Sequence, residues 1–75
     1  MDSSPVSLRV AETVRLAMRV RGLTDHALAD STGISLRTLR NRLDARSAFT
    51  LAELNRVAAI LQVPPSSLLG PTSRG

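Results

Sequence analysis

Arginines are concentrated in the middle of the chain, where Arg37, Arg40 and Arg42 fall within one short run. The guanidinium group is planar, and its donors match phosphate oxygens as well as the O6 and N7 atoms of guanine. Several exposed arginines on one short helix would therefore suit the binding of nucleic acid. The alternative is a charged face that is only solvated, and the surrounding motif has to decide between these interpretations.

The overall charge permits nucleic-acid binding without requiring it. The formal net charge is +4, and all ten basic residues are arginines. A positive balance favours an anionic partner, but it also serves solubility, and exclusive use of arginine can reflect GC-rich coding.

The sequence offers little for catalysis or for a metal site. His26 is the only histidine, and Asp25 beside it would point from a helix in another direction, badly placed to orient the ring. There is no cysteine, and the carboxylates are scattered along the chain. We expect no enzyme activity, no cofactor and no metal, with His26 an exposed helix residue.

The length of 75 residues allows one domain, which we place over residues 1–75 with an ordered core at about residues 5–70 and frayed ends. No apolar run approaches the roughly 20 residues of a membrane span, and the N-terminus lacks the pattern of a secretory signal. With Phe49 as the only aromatic residue, the core must be built from aliphatic side chains. We therefore expect an all-α domain.

The first of five predicted helices runs to Arg21. It begins at Pro5 after Ser4, or alternatively at Ser7, and Gly22 ends it. Its apolar residues lie near one helical face: Leu8, Ala11, Val14, Ala17 and Met18.

A second helix begins after Thr24, whose hydroxyl can cap it, and Asp25 in its first turn suits the helix dipole. Leu28 and Ala29 are its predicted buried residues. Gly33 follows where the chain must turn sharply, because glycine adopts positive φ without steric cost.

Ile34 and the capping residue Ser35 introduce the third helix. At 100° per residue, three leucines cluster within about 60° and face the core: Leu36, Leu39 and Leu43. The opposite side carries Arg37, Thr38 and Asn41. The two flanks carry Arg40 and Arg42, where they would meet sugar-phosphate rather than base edges.

The fourth helix begins with a strong signal, because Thr50 and Glu53 have capping-box spacing and Phe49 can form a hydrophobic staple with Leu54. Its predicted buried residues repeat at helical spacing: Leu51, Leu54, Val57, Ala58 and Leu61. This helix ends before Val63-Pro64-Pro65, because proline cannot continue a helix. A short fifth helix then runs from Pro65 through Leu68 and Leu69, closed by Gly70-Pro71.

This layout resembles the Cro/CI-type (XRE-like) helix-turn-helix family of phage repressors and bacterial regulators, over roughly residues 8–70. The residues that carry the resemblance run in order along the chain: Gly22-Leu23-Thr24, Leu28-Ala29, Gly33-Ile34-Ser35, Leu39, and Leu54 through Val63 with Leu68-Leu69. The segment from Leu36 to Leu69 looks particularly like small regulators of actinobacteria and their phages. The resemblance implies a compact, five-helix, lambda-repressor-like DNA-binding domain whose second and third helices form the helix-turn-helix.

The family reads bases from the start and middle of its third helix. An ungapped match puts Ser35, Leu36, Arg37 and Asn41 at those positions, although the phase of Leu36 argues for the core. Thr38 is added because its helical phase is exposed. The predicted base contacts are therefore Arg37, Thr38, Asn41 and Ser35. The predicted phosphate contacts are Arg40, Arg42, Arg46, Thr24 and Arg19.

The chain departs from the family pattern at three positions. The family usually has an apolar residue where this chain has Arg42, and it commonly pairs an arginine of the first helix with a glutamate ending the third, where this chain has Met18 and Leu43. We interpret this as Leu43 taking over core packing and freeing Arg42 for the surface. The rotation of the third helix is therefore the point that a structure has to check.

Together with the arginine-bearing third helix, this resemblance implies a sequence-specific transcriptional regulator, most simply a repressor of the phage-immunity or Cro-like kind, acting on operator DNA in the cytoplasm of a bacterial cell. Its partners would be double-stranded DNA and, weakly, a second copy bound through the C-terminal helices, with no membrane and no small-molecule substrate. One alternative is a protein-interaction module of the same fold, such as an antitoxin. Another is an architectural or excision-type DNA binder.

Overall fold

The computed structural model describes residues 5–68, with side chains from residue 7 onward. Five α-helices follow one another: α1 (Pro5–Arg21), α2 (Asp25–Thr32), α3 (Leu36–Leu43), α4 (Leu51–Leu61) and α5 (Pro65–Leu68). No strand occurs in this part of the chain. The all-α, five-helix prediction is confirmed, and α1 begins at Pro5, the first of the two predicted starts. The predictions for Ser4, Leu69 and Gly70-Pro71 lie outside the described residues.

Three hydroxyl residues start helices as their sequence positions predict. Thr24, Ser35 and Thr50 each have an extended backbone, and each side-chain oxygen accepts a hydrogen bond from the N–H three residues later, at 3.0–3.1 Å. At α4 the Glu53 carboxylate accepts in return from the Thr50 N–H at 2.9 Å, which completes the capping box. These bonds satisfy N–H groups that have no partner within the helix.

Among the described residues, four at helix ends have a left-handed backbone, and two of the four are not glycine. Gly22 and Gly33 have φ values of 69° and 79°, in agreement with their predicted role as stops. Ala45 after α3 and Gln62 after α4 also have φ near 60°, a conformation in which a Cβ atom crowds the backbone. The backbone hydrogen bonds around both residues are those of a helix end, for example from Arg46 N–H to Asn41 C=O at 3.0 Å.

The core lies among all five helices. Helix α4 packs on α1, α2 and α5, while α3 packs on α2 and α1. The buried cluster is entirely aliphatic apart from Met18: Val10, Val14, Met18, Leu28, Ala29, Ile34, Leu39, Leu43, Leu54, Val57, Ala58, Leu61 and Leu68. Phe49 is half-buried against this cluster, as its place beside α4 predicts.

Two predictions about leucines are wrong: Leu8 was placed on the apolar face of the first helix and Leu51 among the buried residues of the fourth, but both side chains are exposed. Leu8 is 48% exposed because the buried face of α1 follows Val10, Val14 and Met18, and Leu8 lies roughly 160° around the helix from Val10. Leu51 is 71% exposed because it is the first residue of α4, and side chains there point back toward the helix N-terminus, away from the core.

The strained end of α4 gives a stability prediction. Replacing Gln62 with glycine should raise the free energy of unfolding by about 0.5–1 kcal/mol, because glycine removes the Cβ crowding at positive φ. The only side-chain bond lost among the described residues is the exposed one from Arg21 Nη1 to Gln62 Oε1, at 3.3 Å. Urea unfolding followed by circular dichroism measures the change.

The matched control is Ala59→Gly, at an exposed position inside α4 with ordinary helical backbone. It should lower the free energy of unfolding by up to about 1 kcal/mol, because glycine there costs backbone entropy. A loss of stability in Gln62→Gly would contradict the assignment of strain to this residue.

Candidate nucleic-acid interface

The turn between α2 and α3 is held by Thr32, a buried polar residue. Its hydroxyl donates to the Leu28 carbonyl at 2.8 Å and accepts from the Ile34 N–H at 3.3 Å, so it joins the end of α2 to the start of the turn. Gly33 provides the left-handed step, and Ile34 is buried as predicted. The role of Thr32 was not predicted; the signal was a hydroxyl residue in the last turn of a helix, able to bond back to a carbonyl four residues earlier.

The face of α3 that points away from the core carries the predicted base-contact side chains. Arg37 is exposed, and Thr38 and Asn41 are partly exposed. The Arg37 side chain forms no hydrogen bond or ion pair with any residue in 5–68. On the other side of α3, Leu39 and Leu43 are buried and Leu36 is half-buried, so the leucine phase predicted from the sequence is confirmed.

One flank of α3 is tied to α2. The Arg40 Nε lies 3.5 Å from the Asp25 Oδ2 at the start of α2, and the two side chains are 55% and 30% exposed. Because this pair is largely solvated, it contributes little to stability, but it places Arg40 beside the N-terminus of α2. Arg40 was predicted to contact phosphate, and this position leaves it at the surface beside Thr24, another predicted phosphate contact.

The opposite flank is tied to α4 by a much less exposed ion pair. Arg42 donates from Nε to Glu53 Oε1 at 2.8 Å and from Nη2 to Glu53 Oε2 at 3.2 Å, while Nη1 donates to the Ser47 hydroxyl. The Arg42 and Glu53 side chains are only 19% and 16% exposed. The expectation that Arg42 lies free on the surface is wrong, because Glu53 offers a two-oxygen acceptor that binds the guanidinium in a bidentate way.

The pairing shifts the acid–base properties of both groups. The hydrogen bond from Arg42 lowers the pKa of Glu53, burial opposes this, and the bond from the Thr50 N–H adds to it. The hydrogen bond to Glu53 raises the pKa of Arg42 despite its desolvation. Both groups are therefore held in their charged forms at neutral pH.

An arginine–carboxylate pair joins α1 to the end of α3, as in the family pattern. Its residues are Arg15 and Asp44, however, and not those at the matched positions 18 and 43. Met18 and Leu43 are both buried, as their apolar character predicts. One turn earlier on α1, Arg15 donates from Nη2 to Asp44 Oδ1 at 2.9 Å and from Nε to the Leu43 carbonyl at 3.3 Å. A charged link between α1 and the end of α3 is thus present, and residues that were not predicted to form it supply it.

The remaining predicted phosphate contacts fall into two groups. Arg19 and Thr24 lie near the start of α2, where Arg19 lines a shallow groove together with Asp25, the partner of Arg40. Arg46 is exposed after the end of α3, and its side chain forms no hydrogen bond or ion pair with residues 5–68.

The described part of the chain shows neither a group of three or more residues able to hold a metal ion nor a helix able to cross a membrane. His26 is exposed on α2, as expected.

Two short helices joined by a glycine turn, with the second exposing polar side chains and packed within a five-helix domain, define a helix-turn-helix protein. Residues 6–75 match the model of the BetR domain. Because this match spans nearly the whole sequence, the chain belongs to the BetR domain family, a helix-turn-helix family.

Two solved structures have the same fold. An HTH_3 family transcriptional regulator from Vibrio cholerae is 27% identical over 84% of this chain, with a TM-score of 0.77. The restriction-modification controller protein C.AhdI from Aeromonas hydrophila is 18% identical over 83% of this chain, with a TM-score of 0.79. The chain spans 35% of the Vibrio protein and 94% of the controller protein. No curated protein matches the sequence. The predicted relation to XRE-like regulators is confirmed.

The turn gives a testable prediction at Thr32. Thr32→Val keeps the side-chain volume but removes the hydroxyl, which leaves the Ile34 N–H without its partner and should cost about 1–3 kcal/mol of unfolding free energy. Thr32→Ser keeps the hydroxyl and should retain most of that stability. Denaturant unfolding of both variants and the wild type measures these free energies. Equal stability of the valine variant and the wild type would contradict the role of the hydroxyl.

The Arg42–Glu53 pair gives a pH prediction. Glu53→Gln preserves the capping geometry but removes the negative charge, so it should lower the free energy of unfolding at pH 7 by about 1–2 kcal/mol. The pKa of Glu53 is lower in the folded chain than its ordinary value of 4.5. The contribution of the charge is therefore present above the ordinary pKa and disappears as pH falls through the lowered one.

The measurement is urea unfolding of wild type and Glu53→Gln from neutral to acidic pH. The two stabilities should converge in acid. Glu12→Gln removes an exposed carboxylate of α1 that has no hydrogen bond or ion pair with the other described side chains, and it should lose little at pH 7. A Glu53→Gln deficit that stays constant down to strong acid would show that the charge is not its cause.

Proposed function

We propose that this chain is a sequence-specific DNA-binding transcriptional regulator that reads the major groove with α3. The observation that carries the proposal is the division of α3 into two sides. Leu39 and Leu43 are buried on one side, while Arg37, Thr38 and Asn41 lie on the other with Arg37 free of bonds to residues 5–68. The second helix of this helix-turn-helix therefore exposes an unpaired guanidinium group and a side-chain amide, which are groups that can recognise bases.

The side chains suggest which atoms they would contact. Arg37 matches the O6 and N7 acceptors of guanine, and Asn41 matches the N6 donor and N7 acceptor of adenine. Thr38 can bond to either base or pack its methyl group against thymine. The Ser35 hydroxyl already accepts from the Thr38 N–H, but its remaining hydrogen-bonding capacity can serve a base at the edge of the site.

Phosphate contacts would surround this base-reading face. Arg40, Thr24 and Arg19 lie around the start of α2, where the N-terminal N–H groups also favour an anion. Arg46 lies beyond the other end of α3. Contacts of this kind fix the orientation of the protein on the duplex and make affinity fall steeply with salt.

The regulatory role we propose is repression by occupation of an operator that overlaps a promoter, as in phage immunity or Cro-like control, in the cytoplasm of a bacterial cell. The solved relatives described as a transcriptional regulator and a controller protein support a role in regulation. A second copy, bound through the α4–α5 end, would give two half-sites about one helical turn apart.

The decisive experiment is selection of bound duplexes from a random pool at fixed salt. The proposal expects one enriched sequence, and symmetry within it would report binding by two copies. Equal retention of all sequences would indicate an architectural binder instead.

On the selected duplex, Arg37→Ala should weaken binding by about 1–3 kcal/mol and relax the preference at one base pair. Arg56→Ala on the exposed side of α4 is the matched control, because it also removes an arginine without partners among the described side chains. Titration of duplexes that carry each base at the selected position distinguishes the outcomes. A loss with Arg37→Ala that is equal for all four bases would make Arg37 a phosphate contact.

A second candidate function is protein interaction, as in an antitoxin. It is favoured by exposed apolar side chains on α1, where Leu16 is 59% and Val20 is 79% exposed. Failure of the wild type to bind any duplex, with recovery of a protein partner whose binding is lost in Leu16→Ser/Val20→Ser, would support this alternative.

A further inference from the structure

We infer that Glu53 is a positioning residue for DNA reading: through Arg42 it fixes the rotation of α3, and Arg42 serves this internal bond instead of contacting phosphate. The inference rests on the proposed function, because it concerns how the base-reading face is oriented. It assigns to a residue of α4, well outside the helix-turn-helix, a part in sequence preference.

The first support is the geometry of the pair. Both Glu53 oxygens accept from Arg42, and the third guanidinium nitrogen donates to Ser47. All three nitrogens are thus engaged within the chain, in a site where both charged side chains are mostly covered. An arginine that moved to a phosphate would leave the carboxylate of Glu53 poorly solvated and unpaired, at a substantial energetic penalty.

The second support is the place of the pair on α3. At 100° per residue, Arg40 and Arg42 lie about 160° apart around the helix axis, on opposite flanks of the buried leucine face. Arg40 Nε lies 3.5 Å from Asp25 of α2 in a partly solvated ion pair, and Arg42 is hydrogen-bonded to Glu53 of α4. Anchors on both flanks oppose rotation of α3 in either direction, and the anchor on α4 is the less exposed of the two.

The third support is that Glu53 is itself rigidly placed. Its Oε1 accepts from the Thr50 N–H at 2.9 Å, and its own N–H donates to the Thr50 hydroxyl at 3.1 Å. The capping box therefore fixes the carboxylate on the first turn of α4 before Arg42 binds it. The same oxygen that accepts the cap bond also accepts from Arg42 Nε, so the start of α4 and the rotation of α3 are coupled.

Two interpretations of Arg42 predict opposite effects of Glu53→Gln. If Glu53 positions α3, the variant should bind the selected duplex about fivefold to tenfold more weakly, whereas binding to unrelated duplex should match the control. If Arg42 is a phosphate contact restrained by Glu53, the variant should release it and bind more tightly with a steeper salt dependence. Glu12→Gln makes the same change of net charge on α1 and is the control.

Salt dependence tests Arg42 directly. Arg42→Gln should weaken binding to the selected duplex but leave the slope of log affinity against log salt unchanged, whereas loss of one phosphate contact lowers that slope by about 0.9. Arg42→Lys keeps the positive charge and is the second variant if the glutamine variant is poorly folded. Because lysine binds phosphate well but cannot form a bidentate bond to a carboxylate, a positioning role predicts weaker specific binding with lysine as well.

The measurements are duplex titrations at several salt concentrations, with circular dichroism to confirm folding at the same temperature. Arg42→Gln/Glu53→Gln should bind no more weakly than the worse single variant, because each change breaks the same bond. Tighter binding by Glu53→Gln, or a slope reduced by about 0.9 in Arg42→Gln, would overturn the inference and leave the proposed function standing. A wild type that enriches no duplex sequence would overturn the proposed function, and the inference with it.

Discussion

The helix that we propose reads DNA has eight residues, and a helix of that length is not stable alone in water. Its position must therefore come from its surroundings. Ser35 caps its first turn, Leu39 and Leu43 anchor one face in the core, and Arg15 bonds to the carbonyl of its last residue. The remaining structure around α3 follows from the need to hold a short helix in one orientation while leaving its outer face free.

The ion pairs that hold α3 differ in how far solvent covers them. The Arg15–Asp44 pair is nearly half exposed on both sides, and solvent screens most of its attraction. The Arg42–Glu53 pair is mostly covered, so its charges interact more strongly but also lose more hydration. The net stabilisation of such a pair is modest, yet the bidentate geometry tolerates little rotation. Its main consequence for the fold is therefore orientation rather than stability.

Local signals made the helices predictable, because caps, glycine stops and helical periodicity depend on neighbouring residues. Thr24, Ser35 and the Thr50 capping box lie where those signals place them. The bond from Arg42 to Glu53 joins residues of two different helices, so no helical phase could reveal it. Phase placed Arg42 on a flank of α3, but only the packing of α4 shows that this flank faces a carboxylate. The prediction that Leu51 is buried was wrong because helical periodicity does not take account of where a helix begins, and Leu51 is the first residue of α4.

The ion pairs around α3 also determine which arginines are available to attract DNA. Arg15, Arg40 and Arg42 are paired with acidic groups, and each pair links α3, or the residue that caps its C-terminus, to a neighbouring helix. Arg37 and Arg46 have no such partner among residues 5–68. An arginine already paired within the protein releases fewer counterions from DNA than an unpaired one. The electrostatic attraction to a duplex should therefore come mainly from Arg37, Arg46 and the solvated Arg40, whereas the charge of Arg42 is used inside the protein.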